Sequence, residues 1–332
     1  MITTTTAPMA RRKAPLLALL GANSVSLVGT QLTQVAIPWF VLLTTGSATR
    51  TGIVAFCEVV PTILASFFGG VLVDRLGHRR ASIVGDLISG GMVILIPLLH
   101  TTVGLAFWQL LLLVFCGTLF NVPGSTARSA LLPDLTTLAG MPIERATSTV
   151  QAIQRGARLL GAPLAGLMIA TFGPTTPLWI DGATFLLSAA LITFLVPASP
   201  APSITPSGAG AAKPESNARR YLADLREGIQ FIRGDRLILS IVLTLLVNNM
   251  IEAIAWVGAP VYARQLYGSA IALGLMTAVA GGGSMIGAIL YGMFGHRLPR
   301  RTVFVGAFIL LALGYWPLVF LPPLPITLVG LA

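Results

Sequence analysis

Charge is scarce in this chain. Of 332 residues only 21 are Lys or Arg and 11 are Asp or Glu, 10% in all. A water-soluble globular chain carries about 25% charged residues to clothe its surface, so much of this surface must face something other than water. Cysteine and histidine are scarcer still, at two and three residues. Cys57 and Cys116 sit inside apolar runs without metal-ligand spacing, which excludes a disulfide scaffold and a zinc site. His78, His100 and His296 lie far apart, so no catalytic constellation forms around them. The triplet Gly281-Gly282-Gly283 falls inside an apolar helix rather than after a strand, which excludes a phosphate loop. No enzyme activity and no cofactor are expected. What remains is 55% hydrophobic residues and a mean hydropathy of +0.86, too apolar for a disordered chain. The composition predicts an all-α polytopic membrane protein.

A helix needs roughly 20 mostly apolar residues to cross the hydrocarbon core. Such segments occupy 16–43, 52–73, 81–99, 105–123, 149–171, 178–197, 237–261, 269–292 and 302–321. With no water partners in lipid, their backbones must be helical. After Pro322, Pro323 and Pro325 a short run from Ile326 to Ala332 begins, so the expectation is nine transmembrane helices plus a stub. Arg11, Arg12 and Lys13 precede an apolar stretch too long for a cleavable signal.

With the N-terminus in the cytoplasm, nineteen of the 21 basic residues fall on the inner side, and only Arg50 and Arg264 fall outside. Cytoplasmic loops hold the excess of Lys and Arg, so the N-in orientation is expected, in a bacterial cell membrane. Trp39, Trp108, Trp179, Trp256 and Trp316 then all fall near outer helix ends, where indoles prefer to sit. The net charge of +10 is thus an anchor to the inner leaflet of the bilayer, and no nucleic-acid partner is expected.

The chain divides at its one long polar stretch. Residues 1–197 form a six-helix half, 198–236 a cytoplasmic linker, and 237–332 an incomplete second half. The linker opens with Pro, Ser and Gly and ends in an amphipathic helix over 219–233, with Leu222, Leu225, Ile229 and Ile232 on one face. Basic, glycine-bearing turns recur in equivalent places: Gly70 to Arg80 between the second and third segments, and Gly287 to Arg301 between the eighth and ninth. Repeated halves with a site between them near the midplane are the architecture of secondary transporters.

The turn Gly70-x-x-x-Asp74-Arg75-x-Gly77-His78-Arg79-Arg80 resembles the signature of the major facilitator superfamily, with His78 in place of a usual basic residue. Three further stretches resemble the branch holding enterobactin-type siderophore exporters and macrolide efflux proteins. These are Ala127 to Leu135 with Arg128 and Asp134, Arg158 to Gly166 with Pro163, and Asp181 to Ala189. The resemblance implies a major-facilitator-type bundle of two pseudo-symmetric halves, the second one incomplete here. It implies a gating role for Gly70, Asp74, Arg75, Gly77, Arg79 and Arg80, with Asp74 in charge contacts to the facing half. Where proton-coupled drug exporters of the superfamily carry an Arg inside the fourth helix, the segment 105–123 has none.

An acid at the centre of a membrane helix costs about 2.5–3.5 kcal/mol on insertion scales, so each needs a reason. Asp86 lies near the inner end of its helix and is expected to pair with a loop Arg. Asp181 is expected to hydrogen-bond within the bundle. Glu58 and Glu252 lack basic neighbours one turn away and are the candidate substrate or proton carboxyls. Asn23, Thr30 and Gln34, at i, i+7 and i+11, share one face of the first segment, and Asn249, Glu252 and Trp256 share one of the seventh. The stripes either line a cavity or bond neighbouring helices, and their equivalent placement in the two halves favours the cavity. Glycines in the fifth segment (Gly156, Gly161, Gly166) and in the eighth (Gly281, Gly282, Gly283, Gly287) favour close packing between halves.

The functional expectation is a secondary exporter of a hydrophobic or amphipathic small molecule, a drug, macrolide or siderophore-like compound. It would work by alternating access, driven by the proton gradient. The alternatives are a truncated membrane protein that does not transport, needing the missing C-terminal helices or a second chain, and transport in the uptake direction.

Overall fold

The computed structural model describes residues 13–197, 233–234, 236–294, 300–316 and 323–331, and over these residues each of the nine apolar segments contains a helix. The helices are α1 (Ala14–Thr45), α2 (Ala48–Leu76), α3 (His78–Thr102), α4 (Phe107–Ala130), α5 (Leu132–Ala139), α6 (Ile143–Phe172) and α7 (Thr176–Leu195). They continue with α8 (Arg236–Tyr262), a π-helical turn Ala263–Tyr267, α9 (Ala270–Phe294), α10 (Arg300–Tyr315) and α11 (Leu324–Leu331). Seven helices among the described residues are long and apolar enough to cross a membrane. Of the remaining two segments, α6 opens on charged residues including Glu144, Arg145, Arg155 and Arg158, and α10 has 16 residues. The amphipathic helix expected over 219–233 lies almost wholly outside the described residues, as do the turn residues His296 and Arg297.

Local chemistry sets the boundaries. Gly46 ends α1 in a left-handed conformation (φ 66°), and Ser47 caps α2 by accepting the Arg50 N–H at 3.3 Å. Gly77, at φ 77°, is the whole junction between α2 and α3. Its N–H bonds the Val73 carbonyl at 2.9 Å and its carbonyl accepts the Ala81 N–H at 2.9 Å. Only glycine takes that φ without strain, so the signature's central glycine is a backbone requirement. The short α5 was not expected from hydropathy. Pro133 sits in its first turn and Gly140 (φ 64°) closes it.

The chain packs as two compact units, residues 1–199 with 259–332, and residues 200–258. Within the first unit α3 packs on α4, α7 packs on α1 and α3, α2 packs on α4, and α6 packs on α1 and α9. Lipid tails are as apolar as leucine, so burying apolar surface does little to bring such helices together, and close backbone approach does more. Glycine supplies that approach at the crossings. A methyl group on Gly85 of α3 would lie 2.8 Å from the Cα of Gly124 on α4. One on Gly90 would lie 2.8 Å from Phe185 Cβ on α7, and one on Gly29 would collide with Asp181 and Thr184. Gly166 of α6 faces Gly274 of α9 in the same manner, with the Ala270 carbonyl 2.6 Å from where its Cβ would be. Of the small residues expected at this contact, Gly161 abuts Gln31 and Gly282 meets Leu159, whereas Gly156, Gly281 and Gly287 have open space. The tryptophans divide: Trp108, Trp179, Trp256 and Trp316 are exposed, whereas Trp39 is 4% exposed within the core.

Candidate functional site: a polar-walled cavity in the helix bundle

A cavity of about 420 Å³ opens among α1, α2, α3, α4 and α7. Its walls are mainly apolar, with Val93, Ile96, Leu113, Val114 and Phe185 among them. Into this surface project a few polar groups, the pattern of small-molecule sites. Thr30 and Gln34 come from α1, Glu58 from α2, Asn121 from α4 and Asp181 from α7. Two carboxyls therefore share one cavity.

Each polar group has a local origin. Thr30 donates its hydroxyl to the Ser26 carbonyl at 2.9 Å, one turn back, and Gln34 accepts from Gln31 Nε2 at 3.1 Å. Asn23, expected on the same face two turns earlier, is half-buried and is not among the cavity-lining residues. Glu58 is half-buried, one turn before Thr62, whose hydroxyl bonds the Glu58 carbonyl at 2.8 Å. Asp181 is 1% exposed and lies against Gly29 of α1. The Thr184 hydroxyl stands 3.3 Å from its Oδ1. Sequence reasoning missed Asn121, although an amide in an apolar run, three and four residues after Thr118 and Gly117, is itself a signal for a helix face that meets other polar groups.

A second polar centre lies in the same bundle. Arg128 Nη2 donates to Asp86 Oδ1 at 2.7 Å, Ser188 donates to Asp86 Oδ2 at 2.6 Å, and Arg128 Nη1 donates to Ser188 Oγ at 3.0 Å. Asp86 and Arg128 are 2% and 3% exposed. The triangle joins α3, α4 and α7. Asp86 was expected to pair with a loop Arg, but its partner Arg128 lies inside α4, beyond the Arg-free segment 105–123. The apolar run stops near residue 123, but α4 continues to Ala130, because Pro123 is tolerated inside it and Arg128 finds a buried anion.

The signature turn is placed at the end of α2. Asp74 and Arg75 are exposed, and neither forms an ion pair among the described residues. Arg79 reaches across to α7, donating to the carbonyls of Ile192 and Thr193. Carbonyls in the last turn of a helix carry the negative end of its dipole, which a guanidinium complements, although that of Ile192 also accepts the Val196 N–H at 3.3 Å. Gly70 and Arg80 are exposed. Of the remaining motif residues, Asp134 lies in the first turn of α5, where an acid suits the positive end of the helix, Arg158 is exposed on α6, and Pro163 lies inside α6 beside Gly274. Glu252 and Asn249 lie on α8 within the other unit. Both are exposed, and Asn249 Nδ2 donates to the Leu245 carbonyl at 2.8 Å.

The pattern of the Major Facilitator Superfamily matches residues 19–332, and the chain belongs to that family. It is a multi-pass membrane transporter and not an enzyme. The multidrug efflux pump Tap of Mycobacterium tuberculosis (strain ATCC 25618 / H37Rv) is 30% identical over 321 residues, covering 96% of this chain and 74% of that protein. Macrolide efflux protein A of Streptococcus pyogenes is 22% identical over 289 residues, 84% of this chain and 66% of that protein. Among solved structures, a point mutant of the nucleoside transporter NupG superposes with a TM-score of 0.72 over 95% of this chain and 78% of that one, at 12% identity. The D-xylose-proton symporter superposes with a TM-score of 0.58 over 95% of this chain and 77% of that one, at 15% identity. These two likenesses concern the fold.

Proposed function

We propose that the protein is a secondary exporter that carries a hydrophobic or amphipathic small molecule out of the cell by alternating access, driven by inward proton movement. The observation that carries this reading is the cavity itself: apolar walls suited to a drug-like body, with Glu58, Gln34, Thr30 and Asn121 to orient it. The similarity to the multidrug efflux pump Tap and to macrolide efflux protein A supports the outward direction. In this reading the N-terminus is cytoplasmic, residues 1–197 and 237–332 contribute the two pseudo-symmetric halves joined by a linker over 198–236, and Glu252 and Asn249 are candidate substrate or proton residues of the second half. Asp74, Arg75 and Arg80 form the inner gate, with Gly70 and Gly77 allowing its tight turn. Arg79 holds the gate to the end of α7.

The test is ethidium accumulation in a bacterial host stripped of its own exporters, with and without the full-length gene. Expression should lower accumulation, and a protonophore should abolish the difference. Equal accumulation with and without the gene, across ethidium and a panel of macrolides, would refute the export reading.

A further inference from the structure

We propose that Asp181 is the carboxyl through which this transporter binds and releases its coupling proton, a role that rests on the proton-driven export reading above. Among the described residues two acids are buried, and their surroundings differ in kind. Asp86 has a guanidinium at 2.7 Å and a hydroxyl donor at 2.6 Å. Asp181 is equally buried and has no cation beside it among the described residues.

Its hydrogen bonds are weak. The Thr184 hydroxyl donates its one proton chiefly to the Asp181 carbonyl at 2.7 Å, leaving a loose 3.3 Å approach to Oδ1. The Thr33 hydroxyl of α1 is the other neutral donor that faces the carboxyl. A carboxylate left in this state, out of water and without a counter-ion, costs several kcal/mol. The carboxyl therefore carries a proton while the bundle is closed around it, and gives the proton up when water or a cation arrives.

The cavity provides that arrival, because Asp181 lies on its wall with Glu58. The groups facing Asp181 leave no other candidate counter-ion among the described residues. From α1 come Gly29, Thr30 and Thr33, all neutral. From α3 comes Ser89, whose hydroxyl is committed to the Gly117 carbonyl at 2.9 Å, while Asp86 is occupied by Arg128 and Ser188. Ser188 lies about 10 Å along α7 from Asp181. The charged residues of α6 end at Arg158, about 20 Å along that helix from its junction with α7. Among the described residues, Glu58 of α2 is the one other titratable group on the cavity wall. The division of labour follows: Glu58 meets the transported molecule, and Asp181 trades a proton with water. One proton is taken from outside when the cavity faces out, and the same proton is released to the cytoplasm when it faces in, with no bond made to the substrate.

The test uses the purified full-length protein and two readouts. Infrared difference spectroscopy should show the carbonyl stretch of a protonated, apolar-site carboxyl in the wild type and in Glu58→Gln, and its loss in Asp181→Asn. In liposomes, Asp181→Asn should lose accumulation of ethidium driven by a pH gradient, falling to the level of empty liposomes. The wild type should also exchange ethidium at equal pH, which requires cavity movement but no proton step. A band that survives Asp181→Asn, or gradient-driven accumulation that survives it, overturns the assignment. Should Asp181→Asn fail to fold, Asp181→Glu decides: a displaced pH profile of gradient-driven uptake supports the role, and an unchanged profile overturns it. Wild-type liposomes that move no ethidium in either assay would instead sink the export reading, and the coupling role with it.

Discussion

Asp86 and Arg128, 42 residues apart in sequence, meet at 2.7 Å in the interior of the bundle, with Ser188 bonded to both. The contact ties three helices together at one point. Removing one partner would leave the other charge buried and alone, which costs about 3–5 kcal/mol in buried pairs, whereas replacing both by apolar side chains of similar size is often neutral. Arg128→Met and Asp86→Leu should each strongly lower the thermal stability of the detergent-purified protein. The double substitution should recover most of the loss. Additive losses in the double variant would show that the pair is not coupled.

The Gly166–Gly274 contact brings α6 and α9 to backbone distance. Gly166→Leu should therefore force these helices apart and abolish transport, even where protein still reaches the membrane. Gly156→Ala, on the same helix with open space around it, serves as the control and should be silent. Efflux assays with membrane protein quantified by blot will separate the two. Equal activity in both variants would remove the close contact from the account.

Arg79 closes the end of α7 through the Ile192 and Thr193 carbonyls. A cation at a helix C-terminus contributes about 0.3–1 kcal/mol when exposed and up to about 2 kcal/mol when partly buried. Arg79→Ala should lower stability by an amount in that range, and Arg79→Lys should restore part of it, since an ammonium keeps the charge but not the two-pronged geometry. Calorimetry or dye-monitored melting will show whether that order holds.

Glu252 is proposed as a carboxyl of the second half that transport requires. Glu252→Gln in the full-length protein should abolish ethidium efflux without changing the amount of protein in the membrane. Unchanged efflux would take Glu252 out of the mechanism.

Much of this architecture was legible in the order of residues, and the remainder shows what sequence leaves open. Apolar runs locate helices because lipid demands satisfied backbones, so the nine helical segments and the Gly77 junction follow from composition and one glycine. Hydropathy places helix ends poorly where a charged side chain is buried with a partner. Arg128 reads as a loop residue because Asp86, which permits its burial, is 42 residues away. The same holds for Arg79, whose acceptors lie more than a hundred residues further on. Of the α1 stripe of Asn23, Thr30 and Gln34, the last two line the cavity and Asn23 does not, since polar spacing on one helix is local information and the length of the cavity is not. Asp181 was legible as a hydrogen-bonding acid but not as a cavity residue. Helix α7 is apolar around most of its circumference, so its rotation is set by Gly29, Gly90 and Gly182 at its crossings with α1 and α3.

The central claim is that the cavity bearing Glu58 is where the transported molecule is held. Ethidium efflux from energised cells expressing Glu58→Gln, with membrane protein measured in parallel, tests it most directly. Efflux should fall to the level of cells without the gene, at undiminished protein level, because the isosteric amide keeps the shape of the wall and removes its carboxyl. Efflux at the wild-type rate would contradict it.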